Sequence, residues 1–433
     1  MRQVLLILCF LFTLASTSSG YEYPLTDPFA ATVFGTRPQD EFALRSVRST
    51  GLADFNPLQG FGTQHIREIV VHDRPVPDVL WYNDTLQYTK AVQKKPAPLL
   101  FVIAGTGSSY AAENCRFLQA VFYRAGFHVV CLSSPTYSNF VVSASATQVP
   151  GYIPHDAADL YQCMRLLADQ IGRERITDMH VMGYSLGATQ AAFVRELDAR
   201  EKHLGLRKTL LINPAVNVLT SAIALDKLLE DNVNSKEEAA RVVANLIHRL
   251  SEAYRDRTVV NFGDDFLYDL QKTHPLTDKE LKILIGVAFR LSLASMVFSS
   301  DVCTGAGYIV PRGHHVAKDE SLDPYLDAAV EISFAEYARE YLIPFVQFLH
   351  PERSADEIIH SCSLEAIAPF LQDNHDIAAM TNQDDFILSS ADFVFLQQTF
   401  GPRLTLYPVG GHCGNLRYRD NVAAMLAFFQ QKG

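Results

Sequence analysis

The pentapeptide Gly183-Tyr184-Ser185-Leu186-Gly187 constrains the fold of this chain more than any other feature of its sequence. It follows a short apolar run, 179–182, and precedes small and apolar residues, 188–194, so its context is a strand, a sharp turn and a helix. In that context a G-x-S-x-G motif forms a tight elbow with the serine at its tip, beside a helix N-terminus that favours negative charge. We therefore predict that Ser185 is a nucleophile, and the alternative is a serine in an ordinary glycine-flanked turn.

Length and composition are typical of a globular enzyme. The chain has 433 residues, of which 48% are hydrophobic and 20% charged, enough for one large domain or two ordinary ones. Its formal net charge of −11 argues against nucleic-acid binding, because the chain lacks the excess of cationic side chains that would neutralise phosphates. The charge is compatible with a neutral or lipid substrate, and the sequence leaves the oligomeric state open.

The first twenty residues have the pattern of a secretory signal. Met1-Arg2-Gln3 carries one positive charge, an apolar run extends from Val4 to Ala15, and small or polar residues follow up to Gly20. The apolar run is too short to span a bilayer as a helix. We predict that residues 1–20 are a cleaved signal peptide and that the mature protein is secreted or periplasmic, and the alternative is an uncleaved anchor.

Apolar runs alternate with helical patterns along most of the chain. Several of these runs are apolar on both faces, which is typical of buried parallel strands. The predicted strands are Ile66–Val71, Val79–Tyr82, Leu99–Ala104, Phe127–Leu132, 179–182, Leu210–Ile212, Ile377–Met380 and Leu404–Tyr407. The alternation predicts an α/β fold with a mostly parallel central sheet flanked by helices.

The alternation stops in the region 217–372, where helical patterns dominate. We predict a core made of 21–216 and 373–433, with an N-terminal extension, and a large helical lid inserted at 217–372. The stretch Leu281–Phe298 is unusually apolar, so it is either a lid helix that contacts substrate or transiently a membrane surface, or a helix buried within the lid. Cys303 and Cys362 are the best candidates for a disulfide.

A serine nucleophile needs a base, and His412 is the best of the 14 histidines. It follows the last predicted strand, and the glycines before and after it allow the loop to bend. A third residue must fix the imidazole tautomer, and Asp384 and Asp385 follow the preceding strand. We favour Asp385, which directly precedes an apolar residue, and Asp384 remains the alternative acid.

An oxyanion hole requires backbone N–H donors. Leu186, directly after the serine, supplies one in our interpretation. The other comes from the loop Gly105-Thr106-Gly107 after a predicted strand; we assign it to Thr106, with Gly107 as the alternative. The residues expected to border the substrate are Gly105, Gly107, Tyr184, Tyr137 and Phe140.

With these motifs in the order Ser185, Asp385, His412, the chain resembles the α/β-hydrolase superfamily, and its esterase and lipase members in particular. The resemblance covers roughly Ile66–Val216 and Ile377–Gln430. It implies an eight-stranded, mostly parallel sheet, a Ser-Asp-His triad, and neither a cofactor nor a metal.

The expected function is an exported serine hydrolase that cleaves a small-molecule or lipid carboxylic ester through an acyl-enzyme on Ser185. The choice of an ester rests on analogy at the level of the fold. A peptidase, an amidase or an acyltransferase would use the same triad. A binding protein that has lost catalysis on this scaffold is the alternative of another class.

Overall fold

The computed structural model describes residues 20–44, 66–255 and 275–431. The predicted signal peptide lies outside these ranges apart from Gly20, so the expectation of export stays a prediction.

A single sheet of eight strands runs through the described residues. The strands are β1 (Ile66–Ile69), β2 (Leu86–Ala91), β3 (Ala97–Ile103), β4 (His128–Leu132), β5 (Ile176–Tyr184), β6 (Leu206–Ile212), β7 (Ile377–Asn382) and β8 (Leu404–Tyr407). Their order is β1-β2-β4-β3-β5-β6-β7-β8. The β2 strand is antiparallel to β1 and to β4, and the other neighbouring pairs are parallel. The predicted mostly parallel sheet is therefore confirmed.

Helices connect and cover these strands. The described α-helices are α1 (Pro28–Phe34), α2 (Glu113–Arg124), α3 (Ser138–Ser143), α4 (Ile153–Ile171), α5 (Leu186–Glu201), α6 (Val218–Glu230), α7 (Lys236–Arg255), α8 (Asp278–Thr304), α9 (Asp323–Val330), α10 (Phe334–Tyr337), α11 (Ile343–Leu349), α12 (Ala355–Ser361), α13 (Ala368–Asp373), α14 (Ser390–Phe400) and α15 (Arg419–Gln430). Local sequence explains where α8, the longest of them, begins. Thr277 and Glu280 form a capping box, in which each side chain accepts the backbone N–H of the other.

Both faces of the sheet are covered, because side chains alternate between them. On β3, Leu99, Phe101 and Ile103 face a core shared with α4 and α5, while Leu100 and Val102 face a second core shared with α2 and α15. All five side chains are fully buried. The strand is therefore apolar throughout because its side chains are buried on both faces of the sheet.

Parallel pairing brings the ends of five strands to one edge of the sheet. Ile103 of β3 pairs with Gly183 of β5, Tyr184 pairs with Ile212 of β6, and Ile212 pairs with Met380 of β7. Because parallel strands end on the same side, the loops after β3, β5, β6, β7 and β8 converge there. These loops carry the residues predicted for catalysis.

The described residues between β6 and β7 contain helices α6 to α13 and no strand of the sheet. Helix α8 is long and apolar enough to cross a membrane, but 56% of its most apolar window is buried inside the protein. It packs against α1, α3, α6 and α9. Whether α8 acts as a lid helix or only as a buried helix, and whether this region acts as a lid, stay predictions.

Two local expectations were wrong. Val79–Tyr82 forms part of a 3-10 helix, Asp78–Asn83, with Trp81 and Tyr82 exposed, and the second strand lies just after it at β2. Cys303 and Cys362 are free thiols. The Sγ of Cys362 lies 3.8 Å from the carbonyl oxygen of Gly151 in the hydrophobic core, whereas Cys303 packs in a separate apolar cluster at the end of α8.

Candidate active site

The turn between β5 and α5 is strained in the way that the pentapeptide predicts. Ser185 has φ 56° and ψ −130°, which a non-glycine residue rarely adopts. A Cβ at Gly183 would lie 2.1 Å from the carbonyl oxygen of Gly187, and one at Gly187 would lie 2.4 Å from that of Ala104. Only glycine fits at these two positions. The turn therefore holds the Ser185 hydroxyl at the sheet edge, at the N-terminus of a sixteen-residue helix.

His412 reaches Ser185 from the loop after β8. Its Nε2 lies 2.8 Å from Ser185 Oγ. This is hydrogen-bond distance, so the imidazole can take the hydroxyl proton without a rearrangement. The side chain of His412 is 11% exposed, so the pair lies at the floor of a site and not on open surface.

Asp385 lies behind the imidazole. Its two carboxylate oxygens are each 3.1 Å from His412 Nδ1, and the residue is 2% exposed. The backbone N–H of Ile387 donates to Oδ1, and the Asn213 amide donates to Oδ2 at 2.8 Å. A buried carboxylate held by these donors can fix the ring with its proton on Nδ1.

Asn213, which donates to the Asp385 carboxylate, was not among the site residues predicted from the sequence. It follows β6 directly, has φ 46° and is 2% exposed. Its backbone N–H donates to the carbonyl oxygen of Met380, at the end of the neighbouring strand. The Asn213-Pro214 pair at the strand end was visible in the sequence, but nothing there indicated that its amide would meet Asp385.

Asp384 hydrogen-bonds to the backbone of the loop that carries His412. Its carboxylate accepts the backbone N–H groups of Gly410 at 3.1 Å and Gly411 at 2.9 Å, so it holds the loop that carries His412. Burial raises the pKa of Asp384, and the two glycine N–H groups oppose that rise. Of the two adjacent carboxylates, Asp385 is the one that meets the imidazole.

The surroundings of His412 shift its pKa in opposing directions. Burial favours the neutral ring and by itself lowers the pKa, whereas the neighbouring Cys413 and the Asp385 carboxylate raise it, and the net direction is upward. Since a base acts only when unprotonated, the acid limb of any reaction that uses His412 lies above the pH expected for a free imidazole.

Two of the residues that line the cavity together with Ser185 have backbone N–H groups without an acceptor among the described residues. Within the described residues the N–H groups of Thr106 and Leu186 donate no hydrogen bond; Leu186 is the first residue of α5, where helices leave N–H groups unpaired. The N–H of Gly107, by contrast, donates to Thr136 Oγ1 at 2.8 Å. The arrangement therefore favours Thr106 over Gly107 as an oxyanion donor.

A largely apolar cavity opens beside Ser185. It is lined by Thr106, Thr136, Gly151, Ser185, Leu186, Ala215, Val218, Ser221, Ala222, Leu225, Phe289, Ser292, Leu293, Met296, Phe334 and Ile387. No charged side chain is in this set. Helix α8 closes one wall and also contacts the loop 105–107, because a Cβ at Gly107 would come within 2.6 Å of Ser292 Cβ.

Several residues expected to border the substrate lie elsewhere. Phe140 is fully buried in the core between α3 and the sheet, and neither it nor Tyr137 lines the cavity, where Thr136 does. The Tyr184 hydroxyl lies 3.6 Å from Cys115 Sγ in the core on the opposite face of the sheet. These three expectations were based on proximity in sequence, which does not indicate the face to which a side chain points.

Gly105 does lie at the site, although it does not line the cavity. A Cβ there would be 3.1 Å from Ser185 Cβ and 3.2 Å from the Tyr184 ring, so the loop 105–107 packs directly on the turn that carries Ser185. Among the described residues, no group of three or more histidine, cysteine, aspartate or glutamate side chains is placed to hold a metal ion.

Among known proteins, this chain is similar to solved structures. No protein-family model matches the sequence, and neither does any curated protein. Among solved structures, a thioesterase domain from the curacin biosynthetic pathway is 10% identical, with a TM-score of 0.39 over 85% of this chain and 100% of that one. A membrane phospholipase A, described as a bacterial virulence factor, is 16% identical, with a TM-score of 0.40 over 86% and 88%. A proline iminopeptidase from Mycobacterium smegmatis is 14% identical, with a TM-score of 0.38 over 85% and 98%.

The fold assignment follows from the strands and the turn themselves. Eight strands in the order β1-β2-β4-β3-β5-β6-β7-β8, with β2 antiparallel, carry helices on both faces and the serine elbow after β5. The chain has the α/β-hydrolase fold.

Proposed function

We propose that the protein is a serine hydrolase that cleaves carboxylic esters with an apolar acyl group. One observation carries this proposal: Ser185 Oγ lies 2.8 Å from His412 Nε2, with Asp385 behind the ring. A hydroxyl, an imidazole and a buried carboxylate in line are the parts that acyl transfer requires.

In the proposed first step, Ser185 Oγ attacks the ester carbonyl carbon while His412 Nε2 takes the hydroxyl proton. The carbonyl oxygen becomes an oxyanion, which the N–H groups of Thr106 and Leu186 stabilise. The positive end of α5 adds to this stabilisation. The tetrahedral intermediate then expels the alcohol, which takes the proton from His412, and leaves an acyl-enzyme on Ser185.

In the second step a water attacks the acyl-enzyme and gives its proton to His412. The new tetrahedral intermediate collapses, the carboxylic acid leaves, and the proton returns to Ser185 Oγ. Asp385 keeps the Nδ1 proton of His412 in place and stabilises the imidazolium in both steps.

The lining of the cavity favours a substrate whose acyl group is apolar. Its lining includes ten apolar side chains and no charged one, so a charged acyl group would lose its hydration without gaining a partner. Each buried methylene of an apolar chain is stabilised by about 0.8 kcal/mol, so binding should strengthen as the chain fills the cavity.

Hydrolysis of p-nitrophenyl esters of increasing acyl length, beside peptide p-nitroanilides, tests this proposal. We expect kcat/KM to rise by about fourfold per methylene until the cavity is full, which is the 0.8 kcal/mol per CH₂ expressed as a rate ratio. It should then fall for longer chains, and the anilides should react far more slowly.

Other outcomes identify the rival functions. Comparable rates on anilides favour a peptidase or amidase, and acyl transfer to an added alcohol in preference to water favours an acyltransferase. Folded protein that turns over none of these substrates contradicts the proposal and favours a binding protein on a hydrolase scaffold.

We also propose that the enzyme is exported, on the basis of the charge and apolar pattern of residues 1–20. The substrate is then an ester met outside the cytoplasm, either a small molecule or a lipid. N-terminal sequencing of the mature protein tests this, and a chain that begins at Met1 contradicts it.

A further inference from the structure

Residues 20–44, here called the N-terminal arm, pack along the loop that carries His412. The Tyr21 hydroxyl accepts the Asn415 amide at 2.7 Å, and the hydroxyls of Tyr23 and Thr36 lie 2.9 and 3.0 Å from the carbonyl oxygen of Gly414. The backbone of Glu41 pairs with that of Tyr418 in an isolated antiparallel β-bridge, farther along the loop. The arm thus contacts the histidine loop along most of its length.

Thr32 of α1 makes the contact nearest to the proposed base. Its Oγ1 accepts the backbone N–H of His412 at 2.8 Å and donates to the carbonyl oxygen of Pro28 at 2.8 Å. A hydroxyl has one proton, so donation to Pro28 leaves its lone pairs facing His412. The orientation of this acceptor is therefore fixed by the helix that carries it.

The backbones of α1 and the histidine loop are in direct contact. A Cβ at Gly411 would lie 2.0 Å from the carbonyl oxygen of Pro28, and one at Gly414 would lie 2.1 Å from that of Ala31. The glycines around His412 therefore do more than let the loop bend, because they also allow the arm to approach it.

The arm supports the acid as well as the base. The Phe29 ring stacks on Phe386, the residue after Asp385, with centroids 4.9 Å apart, and the Phe386 ring lies edge-on to the His412 imidazole at 6.2 Å. Such aromatic pairs contribute beyond simple burial. The arm therefore touches the two loops whose relative position sets the contact between His412 and Asp385.

We propose that Thr32, in the N-terminal arm, is a positioning residue for His412. Asp384 holds the loop from one side, through the N–H groups of Gly410 and Gly411, and Thr32 holds it from the other, through the N–H of His412. This inference rests on the proposed function, since it assigns Thr32 a role only if His412 is the base.

Thr32→Val in the full-length mature protein tests this inference, because valine keeps the shape of threonine and removes the acceptor. We expect kcat for a p-nitrophenyl ester to fall about tenfold or more, with KM within about twofold, since small displacements of a catalytic group are costly in rate. The acid limb of the kcat profile should move to lower pH, because a looser contact with Asp385 raises the pKa of His412 less. Thr32→Ser should restore both values.

Thr36→Val is the matched control. It deletes a hydroxyl of the same arm that donates to the carbonyl oxygen of Gly414 in the same loop, whereas the Thr32 hydroxyl accepts the N–H of His412. Equal losses for the two valine variants, or full activity of Thr32→Val, would overturn the inference. If Thr32→Val does not fold, Thr32→Ala with the same readouts replaces it. A wild-type protein inert to esters and to fluorophosphonates refutes the proposed function itself, whereas an active wild type with an unaffected Thr32→Val refutes only this inference.

Discussion

Replacing Ser185 with alanine should lower kcat for ester hydrolysis by about 10⁶-fold, because the Ser185 hydroxyl is the group that hydrogen-bonds to His412 Nε2 and would carry the acyl group. The remaining rate should exceed that in water, since the N–H groups of Thr106 and Leu186 still meet the developing oxyanion. KM should change little. Steady-state kinetics on a p-nitrophenyl ester measure both values.

Ser143→Ala provides the matched control for this variant. Ser143 is a buried serine of α3 whose hydroxyl donates to the carbonyl oxygen of Asn139, away from the elbow. It should keep near wild-type kcat even if its melting temperature falls. A Ser185→Ala variant that retains even a tenth of the wild-type kcat would exclude Ser185 as the nucleophile.

Asp385→Asn should lower kcat by about 10⁴-fold, because an amide that donates to Nδ1 leaves the proton on Nε2, where His412 cannot act as the base. The carboxylate that raises the pKa of His412 is also lost, so the acid limb of the residual activity should move to lower pH. A kcat profile against pH for the variant and the wild type measures both changes.

Asp384→Asn is the adjacent control, with the same change of charge. Its oxygen can still accept one of the two glycine N–H groups, so we expect a loss of at most about tenfold and an unmoved acid limb. If Asp384→Asn causes the larger loss, the two carboxylates have the opposite roles from those assigned here.

The sequence predicted the core of this site because its signals are local. The glycines at 183 and 187 are required by backbone contacts within the elbow and with the neighbouring strand, and parallel strands must end at one edge. The chain order of Ser185, Asp385 and His412 along successive strand ends was therefore readable, as was the mostly parallel sheet.

The residues that the sequence did not reveal act across long separations. Thr32 meets His412, 380 positions later, and Asn213 meets Asp385, 172 positions later. Helix α8 likewise lines the cavity only because this helix, which lies between β6 and β7 in sequence, folds back over the sheet edge. No periodicity or spacing encodes such contacts.

The prediction of a strand from a short apolar run failed for a different reason. Val79–Tyr82 has the composition of a strand but forms a 3-10 helix. By contrast, β2 contains polar residues such as Gln87 and Lys90 and yet pairs with β1 and β4. Runs of four residues do not distinguish a strand from a helical turn. Pairing within the sheet decided both cases.

Reaction with a fluorophosphonate, followed by peptide mass spectrometry, tests the activation of Ser185 by His412 most directly. A fluorophosphonate labels a serine only when a base activates its hydroxyl, so we predict one adduct per chain, on Ser185. Labelling should be lost in Ser185→Ala and strongly slowed in His412→Ala. An unlabelled, folded wild-type protein, or an adduct on another residue that survives Ser185→Ala, would contradict it.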